Sequence, residues 1–246
     1  MIPNTKGAFG RQARYRHGPL PVIATAHPAS MEYMQLASDA HKHNLLQYAF
    51  APGVQAVLAD RQLPPWVSAY LPRHAAHRAQ VVELGGGARL IAHLHRAKHA
   101  DDDERVNVQQ LHRHLWLIER TSQHVERTPL LNRNLELVGQ TLKSHHDQDL
   151  SSYTAAIVQA LRSGQRATVR QLTAYLQLRS GRRGVEEEAM TRAAVCSLLL
   201  AHRLSINLAE AEFGDASRLV WGGIGTGQLP PMPTGAAGFV LSGEAA

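Results

Sequence analysis

Hydrophobic and polar positions along this chain follow a helical period first, then a strand period, then a helical one again. From Ser30 the apolar residues Met34, Leu36, Ala37, Leu45, Leu46 and Tyr48 predict a helix, which Phe50-Ala51-Pro52-Gly53 ends with two strong breakers. Short strands are expected at 54–58 and 66–71, on either side of Pro64-Pro65. Residues 80–84 and 89–95 are better strand candidates, with Gly85-Gly86-Gly87 between them as a hairpin turn. Val106, Val108, Leu111 and Leu115 return residues 101–115 to a helix, and 115–119 forms a last strand. A helix, a run of strands, a second helix and a last strand make a compact α/β unit.

Leu130, Leu131, Leu135, Leu137 and Val138 then mark a connecting helix over 128–142, with a polar boundary at 144–149. Ser151-Ser152 caps a helix that runs to Leu161 and ends at Gly164. Thr168 caps a second, which carries Val169, Leu172 and Leu176 on one face. Residues 186–202 form a third, acidic at its start as the helix dipole prefers. Residues 204–208 alternate apolar with polar and pair with 218–221, so three helices followed by a small hairpin predict a winged-helix-like α+β domain. The expected organisation is an irregular basic arm (1–29), an α/β domain (30–127), a connecting helix and linker (128–149), the winged-helix-like domain (150–221) and a loose Gly-, Pro- and Ala-rich tail (222–246).

Composition narrows the class. With 44% hydrophobic and 19% charged residues in 246, the chain can bury a core and is neither disordered nor fibrous. Only 5% is aromatic, so that core is aliphatic. The longest apolar run, near 197–201, falls far short of the roughly 20 residues a bilayer demands, so no membrane partner is expected. The short apolar segment behind Arg11, Arg14 and Arg16 is broken by Pro19 and Pro21, so it is not expected to be a secretory leader. A single cysteine, Cys196, permits no internal disulfide or Cys-rich zinc module and points to the cytoplasm. Mid-helix between Val195 and Leu198, it reads as a buried small hydrophobe.

Net charge is +6, and all but four of the 26 basic residues are arginines. The planar guanidinium fork suits phosphate, so DNA is a natural partner; a GC-rich genome would produce the same composition. Arg11, Arg14 and Arg16 in the arm are candidate DNA contacts, as are Arg162, Arg166, Arg170, Arg179, Arg182 and Arg183 in the second domain. An ordinary solvated surface is the alternative.

Several motifs then carry a resemblance. Ser38-Asp39-Ala40-His41 leads to Phe50-Ala51-Pro52-Gly53-Val54, and Gln62 follows. Leu115-Trp116-Leu117-Ile118-Glu119 precedes Arg127-Thr128-Pro129-Leu130-Leu131 with Asn134-Leu135. In this order, over about residues 38–221, the chain resembles the TnsA endonuclease subunit of heteromeric transposases. That family pairs Ser-x-x-Glu with Asp-Pro-x-Val, a Gln-Pro turn and an Arg-x-x-Pro-Leu-Leu-x-Asn-Leu run. The resemblance implies a restriction-endonuclease-like first domain, a mixed sheet flanked by helices, with a PD-(D/E)xK site. There a strand Asp, a Glu two residues before a Lys, and a helix Glu hold Mg²⁺, a hard ion that takes oxygen ligands. The Lys offsets charge at the phosphate.

Projected onto this chain, the helix Glu falls on His41, the strand Asp on or next to Ala79, and the Glu-x-Lys on His93 and His95. No expected carboxylate remains. Glu83 lies four residues along the strand from Ala79, roughly 13 Å, too far to substitute. His93 and His95 share a strand face and with His41 could form a transition-metal site; in a chain with fifteen histidines they could equally be plain replacements. His41/His43 and His112/His114 are spaced so that they point apart on a helix. Gly85-Gly86-Gly87 joins strands, unlike a phosphate loop that opens a helix, and Asp101-Asp102-Asp103-Glu104 reads as an acidic helix start. No Ser has a His and Asp in motif context.

The expectation is a nuclease-deficient transposition protein needing no cofactor of its own. It would assemble with a DDE transposase (TnsB-like) and an AAA+ regulator (TnsC-like) on transposon-end DNA. The alternatives are an active metal-dependent endonuclease cutting the 5′ ends, and a stand-alone winged-helix DNA-binding regulator.

Overall fold

A β-hairpin begins the described part of the chain. The computed structural model describes residues 23–51, 53–65, 79–84, 89–95, 116–162, 166–181 and 184–222. The expected strand at 66–71, the Gly85–Gly87 turn, the helix at 101–115, the tail beyond 222, and Arg11, Arg14, Arg16, Arg182 and Arg183 lie outside the described residues.

Strands β1 (Ile23–Ala26) and β2 (Tyr33–Leu36) pair antiparallel. These strands stand where an irregular arm to residue 29 and a helix from Ser30 are expected from the sequence. Alternation decides for strand: Tyr33 and Gln35 are exposed, while Met34 and Leu36 are buried. His27 closes the turn between them. Its Nδ1 accepts from the backbone N–H of Ala29 (3.2 Å) and Ser30 (3.1 Å), so its Nε2 carries the proton and donates to the Val57 carbonyl at 2.8 Å.

Helix α1 (Asp39–Ala49) ends at Phe50, and Gly53, at φ 81°, makes the left-handed turn into β3 (Val54–Ala59). Strands β4 (Ala79–Leu84), β5 (Arg89–His95) and β6 (Trp116–Thr121) complete a sheet of order β3-β4-β5-β6. The first two pairings are antiparallel, and β5 with β6 is parallel. Both faces of β4 are buried, as a central strand requires. Helix α1 covers the face bearing Val57, Ala59, Gln80 and Val82, since Val57 pairs with Val82 and Ala59 with Gln80.

A short helix α2 (Ser122–Glu126), absent from the sequence reading, leads into α3 (Pro129–Ser144), which starts on Pro129 where a missing N–H costs nothing. Helix α4 (Ser151–Arg162), strand β7 (Ala167–Thr168), helices α5 (Val169–Ser180) and α6 (Val185–Leu200), and strands β8 (Leu204–Ser205) and β9 (Arg218–Trp221) follow. Thr168 and Gln171 form a reciprocal capping box, and Gly181 closes α5 at φ 71°. The expected hairpin gains a third strand, in the order β7-β9-β8.

The described residues make a mixed α/β protein with six α-helices, none of them long and apolar enough to cross a membrane. Helix α3 lies between the two halves. Its Leu131, Leu135 and Val138 join Leu45 and Tyr48 of α1 and Leu199 of α6 in one continuous core.

Candidate functional site

The register of the sheet decides which projected positions can meet. Gln80 faces α1: its Nε2 donates to the His41 carbonyl (2.7 Å) and its Oε1 accepts from Asn44 Nδ2 (2.8 Å). Side chains alternate, so neighbouring Ala79 belongs to the opposite face. Ala79 pairs with His93, and His93 with Glu119, which puts these three positions and His95 on the face turned away from α1. His41 therefore lies across the sheet from the positions with which it was to form a three-histidine cluster. The side chains of His93 and His95 lie outside the described residues. Among the described residues no group of three or more His, Cys, Asp or Glu side chains could hold a metal. His41 is buried in the first turn of α1, its Nδ1 on Ser38 Oγ at 2.8 Å.

The position next to Ala79 that does face α1 is Gln80, an amide. Around it the structure assembles a buried polar cluster that no sequence motif announced. Arg120 of β6, 8% exposed, donates through Nη1 to Asn44 Oδ1 (2.6 Å) and through Nη2 to Gln47 Oε1 (2.8 Å). Its guanidinium also lies over the Tyr48 ring, 5.8 Å from the centroid. Gln47 Nε2 continues to Asn132 Oδ1 (2.6 Å) and Thr128 Oγ1 (3.2 Å), and Asn132 Nδ2 to the Val125 carbonyl (2.8 Å). The chain of bonds links β4, α1, β6, α2 and α3. Burial lowers the Arg120 pKa and pushes the Tyr48 phenol up to about 12. Among the described residues the partners of Arg120 are neutral, so they surround a fixed positive charge and offer no oxygen anion to a hard cation.

On the outer side of α1, His43 Nε2 meets Glu136 Oε1 of α3 at 2.8 Å, and Lys42 bonds the same oxygen. Burial alone would raise the Glu136 carboxyl, but the hydrogen bonds from Lys42 and His43 carry it below its ordinary value. This cluster clamps α1 to α3, and His43 points away from His41, as their spacing predicted. Cys196 is fully buried in α6 with its thiol raised to about 12, which leaves it inert.

In the second half Arg166 and Arg170 are exposed. They do not extend onto the start of α6, where Glu186, Glu187 and Glu188 stand. Glu187 is buried and accepts from Tyr153 Oη (2.7 Å) and Ser180 Oγ (3.0 Å), tying α4, α5 and α6 together. The loop from β8 to β9 is acidic as well. Glu212 pairs with Arg133 of α3 (3.0 Å) and Asp215 with Arg192 (2.8 Å). Asn134 of α3 pins the loop, donating to the carbonyls of Leu208 (2.7 Å) and Ala211 (2.8 Å) and accepting from Phe213 N–H (2.9 Å).

Compared with known proteins, the chain matches no family model and no curated protein.

Proposed function

We propose that this chain is a TnsA-like DNA transposition protein that has lost strand cleavage and acts as an assembly subunit. It bridges a DDE transposase, an AAA+ regulator and transposon-end DNA. The observation that carries the reading is the α1 face of the sheet. Where a metal-dependent nuclease needs converging carboxylates, Gln80, Asn44, Gln47 and the Arg120 guanidinium interlock instead. Two features of the architecture support it. A helix followed by three antiparallel strands and a parallel fourth agrees with a restriction-endonuclease-like domain. Three helices with a β7-β9-β8 sheet agree with a winged-helix-like one. Without 5′ cleavage, insertion would proceed by a replicative, cointegrate-forming route.

A nicking assay on transposon-end DNA with Mg²⁺ or Mn²⁺ tests this. The expected outcome is no 5′ cleavage by the chain, alone or with its partners, together with retention of the chain on end DNA when transposase and regulator are present. Robust 5′ cleavage sensitive to His93→Ala would overturn it.

One observation favours an active endonuclease as the second reading. Glu119 stands beside His93 in the parallel register, on the face away from α1. Stoichiometric zinc or manganese in the purified protein, lost in Glu119→Gln, would support that reading. The stand-alone regulator is disfavoured because the β8–β9 loop, the wing of such a domain, is acidic and fastened to α3.

A further inference from the structure

The arginines of the second half differ in what they face. Arg133 and Arg192 are paired with Glu212 and Asp215. Arg162 and Arg203 instead converge on one indole, with guanidinium carbons 5.3 and 5.4 Å from the Trp221 centroid. Arg162 ends α4, Arg203 directly precedes β8 and Trp221 ends β9, so three elements meet at one end of the three-stranded sheet. Leu204 pairs with Trp221, and Gly222 N–H donates to the Arg203 carbonyl at 3.1 Å, which fixes the strand ends that carry these side chains. Arg166, exposed, enters β7 on the same sheet. Among the described residues no carboxylate pairs with Arg162, Arg166 or Arg203.

Two like charges over a shared ring repel each other unless an anion compensates them. Stacking on an indole holds a guanidinium flat while leaving its edge N–H groups free to donate. The rotamers are then ordered before any ligand arrives, which removes part of the entropy cost of binding. The faces by which a winged-helix-like domain would ordinarily meet DNA are acidic here, at exposed Glu186 and Glu188 and along the β8–β9 loop. We propose that the Arg162–Trp221–Arg203 corner is the DNA-backbone contact of this chain, each guanidinium donating to phosphate oxygens with Trp221 as their common platform. The proposal rests on the reading above that the protein works on DNA, and it identifies where.

The test is fluorescence anisotropy of the full-length chain with a random-sequence DNA duplex, between about 50 and 200 mM salt. Arg162→Gln/Arg203→Gln is compared with Arg61→Gln/Arg133→Gln, which removes the same charge from exposed positions outside the corner. Thermal melts establish that both variants fold. The corner variant is expected to bind about 10-fold or more weakly, with its log–log salt slope reduced by about 2, while the control stays within about threefold of the parent. Equal losses in the two variants, or parental binding by the corner variant, would overturn the proposal and leave the assembly reading standing. Failure of the parent chain to bind duplex at any salt would remove the DNA limb of both. Saturable binding of poly-glutamate at the corner, with no effect of the substitutions on duplex binding, would reassign it to an acidic protein partner and likewise overturn the proposal.

Discussion

Arg120 is a cation folded into the interior on amide oxygens. Removing it would orphan Asn44 Oδ1 and Gln47 Oε1, both on side chains with no measurable exposure. An orphaned buried acceptor costs about 1–3 kcal/mol, so Arg120→Met is expected to destabilise the fold by about 3 kcal/mol in urea denaturation. Arg120→Lys should recover little of this, because an ammonium cannot span two carbonyls as a planar fork does. His27 supplies a second residue-level prediction. Burial holds the imidazoles of His27 and His202 below the ordinary value of 6.5, and in each a backbone hydrogen bond opposes the shift without cancelling it. The unfolded chain therefore takes up protons first. The stability these groups contribute is fully present above pH 6.5 and is lost as pH falls through their folded-state values. In His27→Asn the Oδ1 can still accept from Ala29 and Ser30 but the side chain no longer titrates. The variant should lose about 1 kcal/mol at neutral pH with the Val57 bond, and its denaturation midpoint should fall less steeply on acidification than the parent's. Parallel acid profiles for the two proteins would remove His27 from this account.

At the scale of elements, α1 and α3 cross at Gly139. A Cβ built there would meet Leu46 Cδ2 at 3.6 Å, an ordinary contact. Glycine in a helix interior costs about 1 kcal/mol relative to alanine, so Gly139→Ala should raise the melting temperature by about 2–3 °C, and Gly139→Leu should lower it by overpacking. Elements with chemical end signals were legible in the sequence. Pro129 opens α3, Thr168 with Gln171 opens α5, and Phe50 to Gly53 closes α1. Of the elements of two to five residues, β8 and β9 were legible as a hairpin, but β7, α2 and β2 were not. Strand β7 has only Ala167 and Thr168, α2 has five residues, and β2 alternates over just four, too few to separate a period of 2 from one of 3.6. The candidate site divides in the same way. The lack of expected carboxylates could be read from residue identity alone. The side of the sheet could not, because a one-residue shift exchanges Ala79 for Gln80 and only the pairing with β5 and the bonds to α1 fix it. Asn44, Gln47, Gln80 and Arg120 form no spaced motif, so their union is a property of the fold.

At the scale of the whole molecule, α3 makes the two halves one thermodynamic unit. The connecting helix expected over 128–142, ahead of the polar stretch at 144–149, is α3, and its Leu131, Leu135 and Val138 are wholly buried in a core shared with Ile157, Leu172 and Leu199. A fragment comprising residues 150–222 would expose the apolar face that α3 covers and would leave the β8–β9 loop without Asn134. Two backbone carbonyls and the Phe213 N–H would then have to find water. Losing several buried leucine contacts, each worth about 2–5 kcal/mol, exceeds what a domain of that size can spare. The fragment is therefore expected to be largely unfolded by circular dichroism. The full chain should melt in a single calorimetric transition whose van't Hoff and calorimetric enthalpies agree. Asn134→Leu separates the loop from the core without truncation. It should lower stability by about 2–3 kcal/mol and open residues 206–217 to limited proteolysis before the helices are cut. Two resolved transitions, or a fragment that folds and binds DNA by itself, would mean that the halves are coupled only through their linker and would revive the stand-alone regulator.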